Sequence, residues 1–226
     1  MTECVVAGER LVLLAERAAW WPAARTLFVA DFHLGKAASF RHAGIPLPPG
    51  TTAENIARLE GAFAGRPVEH LVFLGDFLHS AQGRAPATLA AFAQWRESRP
   101  TLAMTLVRGN HDDRAGDPPA EWGVRCVNPG EALGPFALVH EPAPVRGGYA
   151  LAGHIHPAVR LSERGGQSLR LPCFWFGPRV GVLPSFGAFT GSAVVRPRAG
   201  DQVYVVAGDE VIRVDGKKGS ESFPGK

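Results

Sequence analysis

Three times in its first half this chain runs an apolar strand pattern straight into a polar side chain able to bind a metal. Thr26-Leu27-Phe28-Val29-Ala30 leads into Asp31 and His33, Leu71-Val72-Phe73-Leu74 into Gly75-Asp76, and the run 101–107 into Gly109-Asn110-His111. Buried strands of a parallel sheet read as continuous apolar runs, and open α/β sheets gather functional groups at the carboxyl ends of such strands. Helical patterns separate these strands. Thr51 with Glu54 gives a capping-box signature, followed by Ile56, Leu59 and Phe63 at helical spacing. Pro86 opens a second helix with Leu89, Phe92 and Ala93 as its apolar stripe. Beyond Gly123 the helices fade, and 136–140, 149–152, 169–175, 180–183, 203–207 and 211–214 read as strands. Helices early and strands late predict an α/β fold, a two-layer β-sandwich flanked by helices. No repeat or linker is visible, so one domain is expected over 1–215, with a frayed polar tail over 216–226.

Six of the eight histidines belong to one ordered series: Asp31-Phe32-His33, Gly75-Asp76-Phe77-Leu78-His79, Gly109-Asn110-His111-Asp112, His140, and Gly153-His154-Ile155-His156. Carboxylate, amide and imidazole without thiolate suit manganese, iron or zinc. The donors are too many for one ion and suit two. With Asp31 and Asp76 as its carboxylate ligands a two-ion centre stays net positive, which favours an anionic phosphoryl group, and neutral Asn110 preserves that charge. His42 and His70 fall outside the series and read as ordinary surface or core residues.

In this order, DxH, GDxxx, GNHD, a lone His and GHxH resemble the calcineurin-like metallophosphoesterase superfamily. Further motifs are similar to the bacterial ligase-associated DNA damage response endonucleases (the PdeM family). They are Gly35-Lys36-Ala37, Phe40-Arg41, Gly44-Ile45-Pro46-Leu47-Pro48, Glu141-Pro142, His156-Pro157 and Leu183-Pro184-Ser185-Phe186-Gly187-Ala188-Phe189-Thr190-Gly191. Ser192 follows where that pattern implies a second Gly. The superfamily resemblance implies Asp31, His33 and His156 on one metal, Asn110, His140 and His154 on a second, and Asp76 bridging them. It also implies in-line attack on a phosphodiester by a metal-bridging hydroxide. The closer likeness implies a manganese-dependent endonuclease acting on single-stranded DNA in repair, with a DNA ligase, helicase or exonuclease working nearby. His111 is the candidate for stabilising developing charge and protonating the leaving oxygen, with Asp112 holding its ring. His79 is a candidate for catalysis or phosphate contact, and its type at that position resembles the DNA-repair nucleases of the superfamily. Lys36, Arg41 and the 44–50 segment read as a loop beside the site, with Arg41 a candidate phosphate-backbone contact.

Bulk properties narrow the classes. The net charge of +3 is compatible with nucleic acid without requiring it. Cys4, Cys126 and Cys173 form no CxxC pair, which argues against a thiolate zinc site and a disulfide framework, and reads as small buried hydrophobes in a reduced compartment. No stretch approaches a bilayer span and no signal peptide is visible, so a cytoplasmic protein without a membrane role is expected. Trp20, Trp21, Trp122 and Trp175 read as core, with base-stacking faces as the alternative. Two other functions share some of these features. A small-molecule phosphatase or pyrophosphatase would use the same ligands under an inserted cap, and a non-catalytic scaffold would be expected to lose some of them.

Overall fold

The computed structural model describes residues 1–45, 50–162 and 168–214. Seven strands form the first sheet in chain order: β1 (Thr2–Val6), β2 (Glu9–Leu13), β3 (Ala19–Trp21), β4 (Thr26–Val29), β5 (His70–Leu74), β6 (Ala103–Val107) and β7 (Val124–Val127). β1 to β4 are antiparallel neighbours, while β4 to β7 run parallel. The helices α1 (Lys36–His42), α2 (Thr51–Phe63), α3 (Pro86–Glu97) and α4 (Asp112–Ala115) fall between β4 and β7.

The second sheet is built from β8 (Glu131–Leu133), β9 (Phe136–Leu138), β10 (Tyr149–Ala152), β11 (Pro157–Ser162), β12 (Ser168–Phe176), β13 (Val180–Val182), β14 (Ala193–Val194), β15 (Gln202–Ala207) and β16 (Glu210–Val214). Its order is β14-β11-β12-β13-β10-β9-β8, with β15 also paired to β12 and β16 beside β15. The central strands β9, β10 and β13 are parallel, so their carboxyl ends lie together.

Strand alternation divides the core. In β4 to β6, Leu27, Val29, Leu71, Phe73 and Leu106 face one way and join Leu59, Ala62, Phe92 and Trp95 of α2 and α3. Phe28, Val72, Leu74 and Val107 face the other way and meet Phe136, Leu138, Leu151, Phe174 and Tyr204 of the second sheet. Successive strand residues point to opposite faces, so one apolar run supplies both the helix layer and the sandwich interior. Trp20, Trp21 and Trp122 are buried in these clusters, in line with the core-packing reading. Trp175 is half-buried and its indole N–H donates to Asp201 at 2.8 Å. The three cysteines are free thiols, Cys4 and Cys173 buried.

Two local expectations need correction. The segment from Lys36 is helical through His42 rather than a loop; α1 buries only Ala37, so no apolar stripe announces it, and its packing against the Ala81–Gly83 turn holds it. Thr51 is the first residue of α2 rather than its cap, because Gly50 at φ 100° takes the cap position. Positions 46–49 of the proline-rich stretch and the tail expected over 216–226 lie outside the described residues. Among the described residues no helix is long and apolar enough to cross a membrane.

Candidate metal centre

Both sheets deliver their strand ends to one place. Asp31 and His33 follow β4, Asp76 follows β5, Asn110 follows β6, His140 follows β9, and His154 and His156 lie between β10 and β11. Five of these residues leave their strands in the left-handed region: Asp31, His33, Asp76, His154 and His156, at φ 53°, 48°, 51°, 73° and 49°. Asp and His tolerate that region better than most side chains, and such backbone clusters at functional sites. Two glycines make room. A Cβ on Gly75 would stand 2.0 Å from His140 Nδ1, and one on Gly109 2.4 Å from Asp76 Oδ1.

The side chains gather into two triads whose donor atoms lie within 4.8 Å of one another: Asp31, His33 and His156, and Asp76, His140 and His154. His156 Nε2 is 3.6 Å from Asp31 Oδ1 and 3.4 Å from His33 Nε2. In the second group Asn110 Oδ1, His140 Nε2 and His154 Nδ1 are each 3.1 Å apart, and Asp76 Oδ1 is 3.3 Å from His140 Nε2. Asp76 also reaches the first group, its Oδ2 3.9 Å from His33 Nε2. The structure therefore brings all seven expected ligands together and sets Asp76 between the triads.

Donor chemistry shows why a cation fits. His140 Nδ1–H donates to the Leu74 carbonyl at 3.0 Å, which leaves Nε2 with a lone pair in the neutral ring. That lone pair faces the oxygens of Asn110 and Asp76, so three acceptors converge and only a proton or a metal ion satisfies them. His156 Nδ1–H likewise donates to the Gly191 carbonyl at 2.9 Å and turns Nε2 inward. Donor separations of 3.1–3.3 Å match the edges of a coordination polyhedron whose bonds are roughly 2.1 Å. Burial works to raise the Asp76 carboxyl, but hydrogen bonding and charge from His140 outweigh it and hold it at about 2. His140 moves oppositely, to about 9: burial works to lower it, but the hydrogen bond and charge of Asp76, with the Leu74 carbonyl, outweigh that.

His111 stands over this centre. Its backbone N–H donates to Asp76 Oδ1 at 2.9 Å, and its ring Nε2 lies 3.9 Å from Asp76 Oδ2. Asp112 does not hold the ring. Its two oxygens accept the backbone N–H groups of Leu78 and Gly109, each at 3.0 Å, tying the Asp76 loop to the Asn110 loop. The His111 ring is held instead by the His79 carbonyl, which accepts from Nδ1 at 2.7 Å, and by the His79 ring stacked 4.8 Å away. Desolvation, reinforced by Lys36, lowers His79 to about 4, so its ring is neutral at pH 7. Phe40 of α1 stacks on its other side at 6.0 Å. His33, His79 and His111 form a further group of converging imidazoles. Arg41 is exposed in the last turn of α1, and its side chain makes no hydrogen bond or ion pair among the described residues.

Asn55 belongs to the site's support and sequence reading passed over it. Buried on α2, it donates to the Phe32 carbonyl at 3.3 Å and accepts the Ala188 N–H at 3.0 Å, fixing the loop between Asp31 and His33. The available signal was an amide on the face that also carries Leu59 and Ala62.

A search of curated proteins gives no match. Among solved structures, the chain is similar to the crystal structure of Pseudomonas putida nuclease MPE, with 44% sequence identity, a TM-score of 0.83, and coverage of 94% of this chain and 99% of that one. The calcineurin-like phosphoesterase profile matches residues 24–177, a span that includes every member of both triads. With its two sheets, its strand-end carboxylates and its paired imidazole triads, the chain belongs to the calcineurin-like phosphoesterase family.

Proposed function

We propose that this metal-dependent phosphoesterase is an endonuclease that cleaves single-stranded DNA in repair, with manganese in its two sites. The observation that carries the two-metal part is the position of Asp76, whose Oδ1 lies beside His140 in one triad while its Oδ2 reaches toward His33 of the other. The nucleic-acid part is supported by the 44% identity to a nuclease along nearly the whole chain. Divalent ions bound there supply a lowered water pKa and positive charge for the phosphoryl oxygens.

The chain's own groups do the rest. His111, oriented by the His79 carbonyl, presents Nε2 beside Asp76 and acts as the proton donor to the leaving oxygen. His79, kept neutral by burial, contacts a diester oxygen through a hydrogen bond rather than as a cation. Arg41 contributes a backbone-phosphate contact from the exposed end of α1. A DNA ligase, helicase or exonuclease would be a functional neighbour in this setting.

A covalently closed single-stranded DNA circle tests the reading, because it offers no end to an exonuclease. Manganese-loaded protein is expected to linearise it and Asp76→Ala to leave it closed. An intact circle from protein shown to carry metal would overturn the endonuclease assignment.

A further inference from the structure

The motif from Leu183 to Gly191 has two halves: the first braces the strand end that carries Asp31, and the second meets the metal centre through the Gly191 carbonyl that accepts from His156 Nδ1. Ser185 bridges Ala30, the N–H groups of Phe186 and Gly187 donate to the carbonyls of Ala30 and Asp31 at 2.8 and 3.0 Å, and Phe186 stacks on Phe32 at 5.4 Å. These contacts hold the strand end that carries Asp31. The second half turns outward. Phe189 is 51% exposed and sits in the left-handed region at φ 56°. A bulky side chain there is an outlier, and such strain persists at sites where a side chain must be presented in one direction.

Among the described residues nine non-glycine positions have positive φ, and five belong to the metal cluster. Two of the other four, Phe189 and Arg17 (φ 64°), line a single cavity of about 300 Å³. His156, a member of the first triad, lines the same cavity, and so do Arg170 and Thr190. The Arg170 guanidinium donates to the Ser192 carbonyl at 3.3 Å, and that of Arg17 to the Ser185 carbonyl at 3.4 Å. None of the residues lining it is acidic. An exposed aromatic face, two guanidinium groups and a metal-cluster histidine thus share one opening.

We propose that Phe189, Arg17 and Arg170 form a nucleotide subsite beside the phosphate to be cleaved. The base stacks on Phe189, and the next phosphate lies against the two guanidinium groups. This rests on the reading of single-stranded DNA as substrate and adds how the single strand is selected. Every base offers a π-face, so stacking on an aromatic ring is tolerant of sequence, whereas a duplex keeps those faces covered. Planar guanidinium groups match phosphate oxygens in pairs.

The test compares an oligothymidylate with an abasic deoxyribose-phosphate oligomer of the same length, using manganese-loaded protein. Phe189→Ala is expected to raise KM for the oligothymidylate by about 5- to 100-fold while changing the abasic oligomer less than about twofold. Phe189→Trp should restore the wild-type difference. Arg170→Ala should weaken both oligomers and reduce the slope of log affinity against log salt by about 0.7. If Phe189→Ala handles the oligothymidylate as the wild type does, the subsite is wrong and the DNA reading stands. If the wild type neither binds nor cleaves either oligomer yet hydrolyses a small phosphate ester, both readings fall.

Discussion

Asp76 Oδ1 lies 3.3 Å from His140 Nε2, and both side chains are almost wholly buried. The pair makes the carboxyl unusually acidic, about 2, and the imidazole unusually basic, about 9. In protein stripped of metal by a chelator, the His140 pKa stands above the ordinary imidazole value of 6.5. The stability it contributes is complete below pH 6.5 and is lost as pH rises through about 9. His79, depressed to about 4, is already neutral above 6.5 and adds no slope in that window. Urea unfolding of chelated wild type should show a loss on the order of 2–3 kcal/mol between pH 6.5 and 9, absent in His140→Gln. An equal loss in the variant would place its origin elsewhere.

His111→Gln should keep both metals and lower turnover by about 10²- to 10⁴-fold, the range of general acid catalysis. Metal content and kcat measured on one preparation check this. The backbone N–H of residue 111 still reaches Asp76 in the variant, so loss of metal would refute the separation of proton transfer from metal binding.

Gly75→Ala should be far more damaging than an ordinary loop substitution. The added Cβ would meet His140 Nδ1 at 2.0 Å, at a backbone φ of 81° that disfavours any Cβ. The expected result is a lowered Tm together with reduced metal content. Unchanged metal binding would mean that the loop relaxes and that the Gly75 approach does not set the His140 position.

Much of this site was legible because ligand chemistry and strand pattern coincide: Asp31, Asp76 and Asn110 each end an apolar run, and those runs are β4, β5 and β6. Other elements lacked such a mark. β1 and β2 were passed over although they join by a two-residue turn at Ala7-Gly8, both at positive φ, as tight hairpins require. α1 has one buried residue and so no periodic signal. The partner of Asp112 could not be read from spacing. Which way a side chain points from the start of a four-residue helix depends on the Leu78 and Gly109 N–H groups that tertiary packing brings to it.

Asn55→Ala removes both bonds of a buried amide, leaving the Phe32 carbonyl and Ala188 N–H without that partner. The expected destabilisation is about 1–3 kcal/mol. Because the Phe32 loop carries Asp31 and His33, manganese affinity should fall for the first triad more than for the second. Calorimetric titration separates the two binding steps, and equal weakening of both would argue for a purely global effect.

The central claim is that two divalent ions flank Asp76, one in each triad. Anomalous diffraction from manganese-soaked crystals, collected at the manganese edge, addresses it most directly. The account predicts two peaks roughly 3.5–4 Å apart, one beside Asp31, His33 and His156 and one beside Asn110, His140 and His154, with Asp76 between them. A single peak, or a peak seated among His33, His79 and His111, would contradict it.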